Sequence, residues 1–164
     1  MLTTSAAPVR TVPDLAALLN HAGHVLHTRL AAALDEIDVT PRAICVLIHA
    51  MEAERTQAEL AELADLDKTT MVVTVDALEK AGLAERRTSS TDRRARIVSV
   101  TEAGARKARA GVEIVDAVHR GVLEALPEEE REVFVSALER LVAGHLAVPA
   151  ESGRPVRRAR TARK

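Results

Sequence analysis

One segment, TQAELAELADLDKTTMVVTVDALEKAGL at residues 56–83, constrains the fold more than any other part of the chain. Thr56 followed three positions later by Glu59 is a capping box, which predicts the start of a short helix. Asp67 predicts the cap of a second, longer helix, and Gly82 ends that helix because glycine tolerates a left-handed backbone. Two capped helices joined by a turn of about three residues have the layout of a helix-turn-helix.

Two β-prone runs follow this segment. LAERR and RARIVSV flank the turn-rich tip TSSTD, which predicts a β-hairpin, and a hairpin placed directly after a helix-turn-helix is the wing of a winged helix. An arginine at the wing tip, such as Arg94, fits a narrow minor groove, where the potential of DNA is most negative. Asp92 is expected to hold the Arg94 guanidinium in a fixed pose through a charge-assisted hydrogen bond.

Charge is unevenly distributed along a chain whose formal net charge is −1. Residues 1–150 hold 17 Lys and Arg against 23 Asp and Glu, yet residues 86–109 hold eight basic residues against two acidic ones. A basic island on an acidic body is the footprint expected where a phosphate backbone docks. The alternative, a solvated charged loop, is disfavoured by the helix-turn-helix beside it. The last 14 residues, with six basic residues and one acid, either add non-specific DNA affinity or aid solubility.

Apolar helices are predicted on both sides of the winged segment. Asp14 caps a long amphipathic first helix, and Thr40 followed by Pro41 is a strong start signal for a buried second helix. Thr101 caps another long helix, which breaks near Pro127 before a last helix with acidic residues in its first turn. Together these helices present more apolar surface than one small domain can bury, which indicates that they need a partner.

Composition excludes several classes of protein. No apolar run approaches the roughly 18 residues that span a bilayer, and no signal peptide is visible, so we expect a cytoplasmic protein without a membrane partner. The single cysteine, Cys45, excludes an internal disulfide and a multi-cysteine zinc site. The seven glycines form no phosphate-binding loop. We therefore expect no enzyme, no cofactor and no dedicated metal centre.

Three stretches together resemble the multiple-antibiotic-resistance regulator (MarR) family of winged-helix transcription factors. They are TPRAICVL, TQAELAELADLDKTTMVVTVDALEKAGLAERR and DRRARIVSVTEAG, the last carrying the Asp-x-Arg wing signature of the family. The resemblance covers residues from about 35 to 145. It implies an obligate homodimer, a pseudo-palindromic operator in double-stranded DNA and a repressor released by a small ligand.

The fold predicted in this way is mainly α-helical with a small β-hairpin wing, a winged helix-turn-helix with dimerisation helices on both sides. Its expected divisions are a flexible arm at 1–12, a dimerisation helix at 13–38, the DNA-binding domain at 39–100, C-terminal dimerisation helices at 101–148, and a basic disordered tail at 149–164.

The resemblance also assigns DNA-contacting residues. The wing pair is matched by Asp92 and Arg94, with Arg93 and Arg96 as phosphate contacts. Lys68, Thr69 and Thr70 match the start of the recognition helix, and Thr56 and Gln57 match the start of the helix before it. Val72 and Val73 stand where relatives often carry polar residues, and we expect at least one of them to face outward and offer methyl contacts to thymine.

An effector pocket is implied where the first, second and fifth helices meet. The residues expected to contribute are His21, His24 or His27, Arg29, His49 and His119, a set that suits a small organic anion such as a phenolic or carboxylic acid. Other interpretations remain open: that no ligand binds, that the histidines form a zinc-responsive site, or that the winged helix binds protein instead of DNA. Cys45 is interpreted as a small core residue, with a peroxide sensor as the alternative.

Overall fold

The computed structural model describes residues 11–90, 92–148 and 150. The chain order is α1 (Leu15–Leu34), a 3-10 turn (Asp35–Ile37), α2 (Pro41–Glu52), α3 (Gln57–Leu63), α4 (Lys68–Lys80), β1 (Ala84–Thr88), β2 (Arg96–Val100), α5 (Glu102–Leu123) and α6 (Glu128–Ala143). The prediction of a mainly helical winged fold is confirmed. The chain divides into two compact units after Arg120. Most of the predicted arm (1–12) and tail (149–164) lies outside the described residues.

Each predicted helix start carries the cap that its sequence indicates. The side chains of the cap residues accept hydrogen bonds from backbone N–H groups two or three positions into the helix, at 2.9–3.3 Å. These residues are Asp14, Thr40, Thr56, Asp67 and Thr101. The capping box at Thr56 and Glu59 is complete in both directions. Local sequence therefore fixes where the helices of the first unit begin.

The core of the first unit forms around α2. This helix buries Ala43, Ile44, Val46 and Leu47, and the other elements supply mostly aliphatic side chains to the same cluster. The fully buried members from neighbouring elements are Leu34, Leu60, Met71, Val75 and Val98. Aliphatic side chains of this kind pack well between short helices, which explains how a chain with almost no aromatic residues acquires a dense core.

The hairpin is joined to the helical unit along one edge. Strands β1 and β2 pair antiparallel from Ala84↔Val100 to Thr88↔Arg96. The backbone N–H of Val98 donates to the carbonyl of Arg55 at 3.1 Å, so β2 is also tied to the segment that precedes α3. Gly82, with φ of 69°, makes the turn from α4 into β1. These contacts set the position of the wing relative to α3 and α4.

Glycines let α5 approach the rest of the first unit closely. Gly104 and Gly111 are buried in α5. A Cβ atom at position 104 would overlap the carbonyl oxygen of Leu83 and lie 2.9 Å from Val100 Cγ1, and one at position 111 would overlap Ile44. Because Gly104 has no side chain, the start of α5 packs directly against the base of the wing.

We expect Gly104→Ala to lower the free energy of unfolding by about 1–3 kcal/mol, because a backbone carbonyl cannot move aside for the added methyl group. Gly121→Ala is the matched control: among the described residues, a Cβ there meets no atom within 4 Å beyond its chain neighbours and its own helix backbone, so helix propensity alone should act and raise stability by up to about 1 kcal/mol. Thermal or urea unfolding measures both. Equal stability of Gly104→Ala and wild type would contradict this packing.

Candidate nucleic-acid interface

The second helix of the helix-turn-helix, α4, divides into a buried and an exposed face. Met71, Val75 and Leu78 are buried in the core. Val72 and Val73 are 42% and 63% exposed, so both valines face outward, as expected of at least one of them. The face of α4 that a DNA groove would meet is therefore partly apolar.

At the starts of α3 and α4, some hydroxyl side chains take part in helix caps and others are exposed. The Thr70 hydroxyl donates to Asp67 at 2.7 Å, and the Thr56 hydroxyl donates to Glu59 at 2.8 Å. The hydrogen bond from the Thr56 backbone N–H lowers the pKa of the Glu59 carboxyl, which keeps the capping box ionised. Lys68 and Thr69 are exposed and are not used in these caps, so they are the polar groups at this end of α4 best placed to contact DNA.

Arg86, on β1, connects three elements of the site, a role that no local sequence pattern predicts. Its Nε donates to Gln57 Oε1 at 3.2 Å, and its Nη2 lies 2.6 Å from Asp76 Oδ1. Its Nη1 pairs with Glu79, whose other oxygen accepts the Arg86 backbone N–H at 2.8 Å. Gln57 is thus engaged in holding the wing strand to α3 and α4. The one sequence feature that indicates such a contact is the pair of acidic residues Asp76 and Glu79, three positions apart on α4.

The wing tip displays Arg93 and Arg94 to solvent. Asp92 does not act as predicted: its carboxylate accepts a hydrogen bond from the backbone N–H of Arg94, at 2.8 Å, rather than from the guanidinium. An Asp side chain reaches the N–H two residues onward more readily than a distant side chain, and this contact fixes the turn. Asp92 thereby shapes the tip, while the Arg94 side chain extends away from it.

Two further contacts stiffen the base of the wing tip. Glu54 accepts hydrogen bonds from the hydroxyls of Ser89 (3.2 Å) and Ser90 (2.8 Å), and the bond from the Ser90 hydroxyl lowers the pKa of the Glu54 carboxyl. Arg96 Nη1 donates to the Thr88 hydroxyl across the strands at 2.9 Å. The exposed arginines are consequently carried by a turn whose base is anchored to the segment before α3.

The residues predicted for an effector pocket are spread over the first unit. His21, His24, Arg29 and His119 are exposed, and His49 is partly buried, with Nδ1 3.2 Å from Glu52 Oε2. Within the described residues there is no group of three or more His, Cys, Asp or Glu that could hold a metal ion. Cys45 is partly buried, and burial raises the pKa of its thiol.

A cavity of about 390 Å³ lies where α1, α2 and α4 meet. Its lining includes His27 from α1, Arg42 from α2 and Val73 from α4, together with aliphatic side chains. Of the residues predicted for an effector pocket, His27 alone lines this cavity. The cavity borders the exposed face of α4, because Val73 belongs to both.

A helix-turn-helix with an arginine-tipped wing defines a winged-helix DNA-binding protein. Residues 37–95 match the sequence model of the MarR family, so this chain is similar to that family over its winged helix-turn-helix segment. In the part of the chain that the structure describes, no helix is long and apolar enough to cross a membrane.

Solved structures of regulators share the fold over most of both chains. CouR from Rhodococcus jostii RHA1, bound to p-coumaroyl-CoA, is 28% identical, with 80% of this chain and 92% of CouR covered and a TM-score of 0.70. The transcriptional repressor CouR bound to a 23-mer DNA duplex is 25% identical, with 78% and 92% covered and a TM-score of 0.70. The Mycobacterium tuberculosis MarR family protein Rv2887, in complex with salicylic acid, is 27% identical, with 81% and 99% covered and a TM-score of 0.67.

We expect Arg94→Ala to lower DNA affinity by about 1–3 kcal/mol without unfolding the protein, because a groove contact of the wing tip is lost. Asp92→Ala should lower it less, since Asp92 shapes the turn instead of touching DNA. Arg120→Ala, which removes the same charge outside the wing, is the control. Fluorescence anisotropy with labelled operator DNA measures all three, and equal affinities of Arg94→Ala and Arg120→Ala would count against a wing contact.

Proposed function

We propose that this protein is a homodimeric transcriptional repressor that binds a pseudo-palindromic DNA operator and releases it when a small organic anion binds. The observation that carries the proposal is that Arg86 joins the wing to α4 and α3 through Asp76, Glu79 and Gln57, so that α4 and the wing form one continuous surface. This surface serves binding and not catalysis. Because its target is chromosomal DNA, we propose that the protein acts in the cytoplasm.

In this proposal α4 enters the major groove and the wing reaches the adjacent minor groove or backbone. Lys68 and Thr69 at the start of α4 are exposed toward solvent, and so are Arg93, Arg94 and Arg96 on the wing. Arginine is favoured where a narrow minor groove concentrates negative potential. The likeness to CouR, which has been seen on a DNA duplex, supports the same mode of docking here.

Exposed apolar side chains on the outer helices support a dimer. In the first unit, α1 exposes Leu15 (63%) and Leu18 (60%); in the second, α6 exposes Val133 (65%) and Phe134 (50%). Large apolar groups displayed in this way mark protein–protein contacts. A two-fold dimer would present two copies of α4 to half-sites about one helical turn, roughly 34 Å, apart.

Anionic ligands of similar regulators support an organic-anion effector. CouR binds p-coumaroyl-CoA and the M. tuberculosis protein binds salicylic acid. In this chain the cavity between α1, α2 and α4 is lined by Arg42 and His27 together with aliphatic side chains, and Arg29, His49 and the other predicted residues remain candidates. A ligand releases DNA only if it binds better to the dimer form whose two reading helices do not match the grooves.

The test of the DNA-binding proposal is a gel-shift titration against the DNA upstream of the protein's own gene at several salt concentrations. We expect affinity to fall steeply with salt, with a log–log slope of about −0.9 per phosphate contacted, and to exceed that for unrelated DNA. Binding that is weak, salt-independent and equal for both DNAs would refute the proposal.

Removing residues 151–164 should flatten the slope of log affinity against log salt if the basic tail touches DNA.

We expect Phe134→Asp to yield a species of about 17.6 kDa instead of twice that mass, because a buried charge at a dimer interface is costly. Leu63→Asp is the matched control, since Leu63 is as exposed (49% against 50%) but lies on α3. Light scattering after size-exclusion chromatography measures the mass. A dimer that survives Phe134→Asp would contradict a role of this face of α6.

For the effector, we expect an aromatic or aliphatic acid to raise the melting temperature and to release DNA in a gel shift. Arg29→Ala and Arg42→Ala separate the two candidate sites, because the loss of both effects in one variant identifies the arginine that pairs with the carboxylate. The same assays with zinc and with a chelator complete the panel. Release by zinc alone would overturn the organic-anion proposal in favour of metal sensing.

A further inference from the structure

The exposed face of α4 carries a specific set of chemical groups. Residues three and four positions apart lie on one face of a helix. On the side of α4 opposite the buried Met71 and Val75, the residues with this spacing are exposed. They are Thr69, Val73, Asp76 and Lys80, with Val72 at the edge. The middle of this reading face holds no arginine, asparagine or glutamine, the side chains that most often read guanine and adenine.

Neither valine belongs to the buried core cluster. Val73 is 63% exposed and Val72 is 42% exposed, and β-branched residues are weaker helix formers than Ala or Leu. In the major groove an apolar side chain has one specific partner, the C5-methyl group of thymine. Burying methyl against methyl removes both from water. This chemistry favours thymine over cytosine, which lacks the methyl group.

Asp76 is one helical step further along the same face. A carboxylate only accepts hydrogen bonds. Guanine presents two acceptors in the major groove, thymine presents an acceptor, and adenine places an acceptor beside its amino group, whereas cytosine presents the N4 amino donor. An aspartate at this position is therefore disfavoured at guanine and thymine, which present only acceptors, and it fits cytosine better than adenine, whose amino donor lies beside the N7 acceptor.

Arg86 holds Asp76 in place and reduces the cost of bringing a negative charge to DNA. Its Nη2 lies 2.6 Å from Asp76 Oδ1, and the Asp76 side chain stays 59% exposed despite this contact. A carboxylate has about four lone-pair sites, so one ion pair leaves capacity for a base. The guanidinium also pairs with Glu79 and Gln57, which fixes its position and hence that of Asp76.

We propose that α4 selects pyrimidines in one strand of the operator, with Val73 and Val72 reading thymine methyl groups and Asp76 accepting a hydrogen bond from cytosine N4. Val73 and Asp76 are about 4.5 Å apart along the helix axis, and base pairs are about 3.4 Å apart, so the two readings fall on adjacent or next-adjacent base pairs. This inference rests on the proposed DNA-binding function and makes Arg86 a positioning residue.

The probe is the duplex of highest affinity recovered by selection from a randomised pool with the full-length protein. Each thymine is replaced in turn by deoxyuridine, which removes the methyl group and leaves pairing unchanged. We expect one or two positions in each half-site to lose about fourfold in affinity, the effect of one buried methyl group. A neighbouring C·G pair should lose about 5- to 150-fold when replaced by any other pair.

Single substitutions test which residue recognises thymine and which recognises cytosine. At the thymine that Val73 reads, Val73→Ala should bind the thymine and deoxyuridine duplexes equally, while Val12→Ala, at a valine of similar exposure (71%) outside α4, keeps the difference. Asp76→Ala should lose the preference for the C·G pair. Glu79→Gln removes one charge from the same Arg86 cluster and should keep that preference. Melting temperatures check that every variant is folded.

The outcomes separate this inference from the proposed function. If no duplex is enriched over the starting pool, the DNA-binding function fails, and the inference fails with it. If a duplex binds tightly but deoxyuridine has no effect at any position, or has the same effect in Val73→Ala, then DNA binding stands and thymine reading is wrong. Val73 would then be assigned to the wall of the cavity beside α2. A C·G preference retained by Asp76→Ala overturns the role of Asp76.

Discussion

The arrangement of the DNA-binding surface depends on one partly buried guanidinium. Arg86 belongs to the first strand of the wing, yet its three nitrogens are directed to Gln57 at the start of α3 and to Asp76 and Glu79 on α4. An exposed ion pair contributes little to stability, but a fork shared by several hydrogen-bonded partners restricts orientation more strongly. The wing and α4 therefore have a fixed relative position, which a reader of two adjacent grooves requires.

Apart from this contact, the residues that stabilise the fold differ from those on the exposed face of α4. The core is formed by side chains such as Leu47, Leu60 and Met71, and the buried Gly104 brings α5 against the base of the wing. The exposed face of α4, by contrast, keeps two valines in water, an arrangement that favours neither the helix nor the core. Residues that do not favour stability are expected at functional sites. The exposure of Val72 and Val73 therefore supports a role for them in contact with DNA.

The sequence predicts the parts of this molecule that local chemistry determines. Thr40 with Pro41, the Thr56 capping box and Gly82 each act within a few residues, so the helix starts and the turn into the wing were predicted correctly. Arg86 was missed because its contact with Gln57 joins positions 29 apart in the chain, which no local pattern records. The role of Asp92 was assigned wrongly because the sequence places it near Arg94 without showing that the backbone N–H is the closer donor. The effector residues stay a prediction, since helical spacing shows which of them share a face and not which cavity that face borders.

The most direct measurement of the central claim, that α4 and the wing read adjacent grooves as a rigid pair, is a chemical interference footprint of the operator complex. We expect methylation of guanine N7 in the major groove to block binding in two half-sites about one helical turn apart. We also expect protection of the minor groove beside each half-site, which disappears in Arg94→Ala while the major-groove pattern remains. A single uninterrupted footprint without major-groove interference, or minor-groove protection that persists in Arg94→Ala, would contradict this claim.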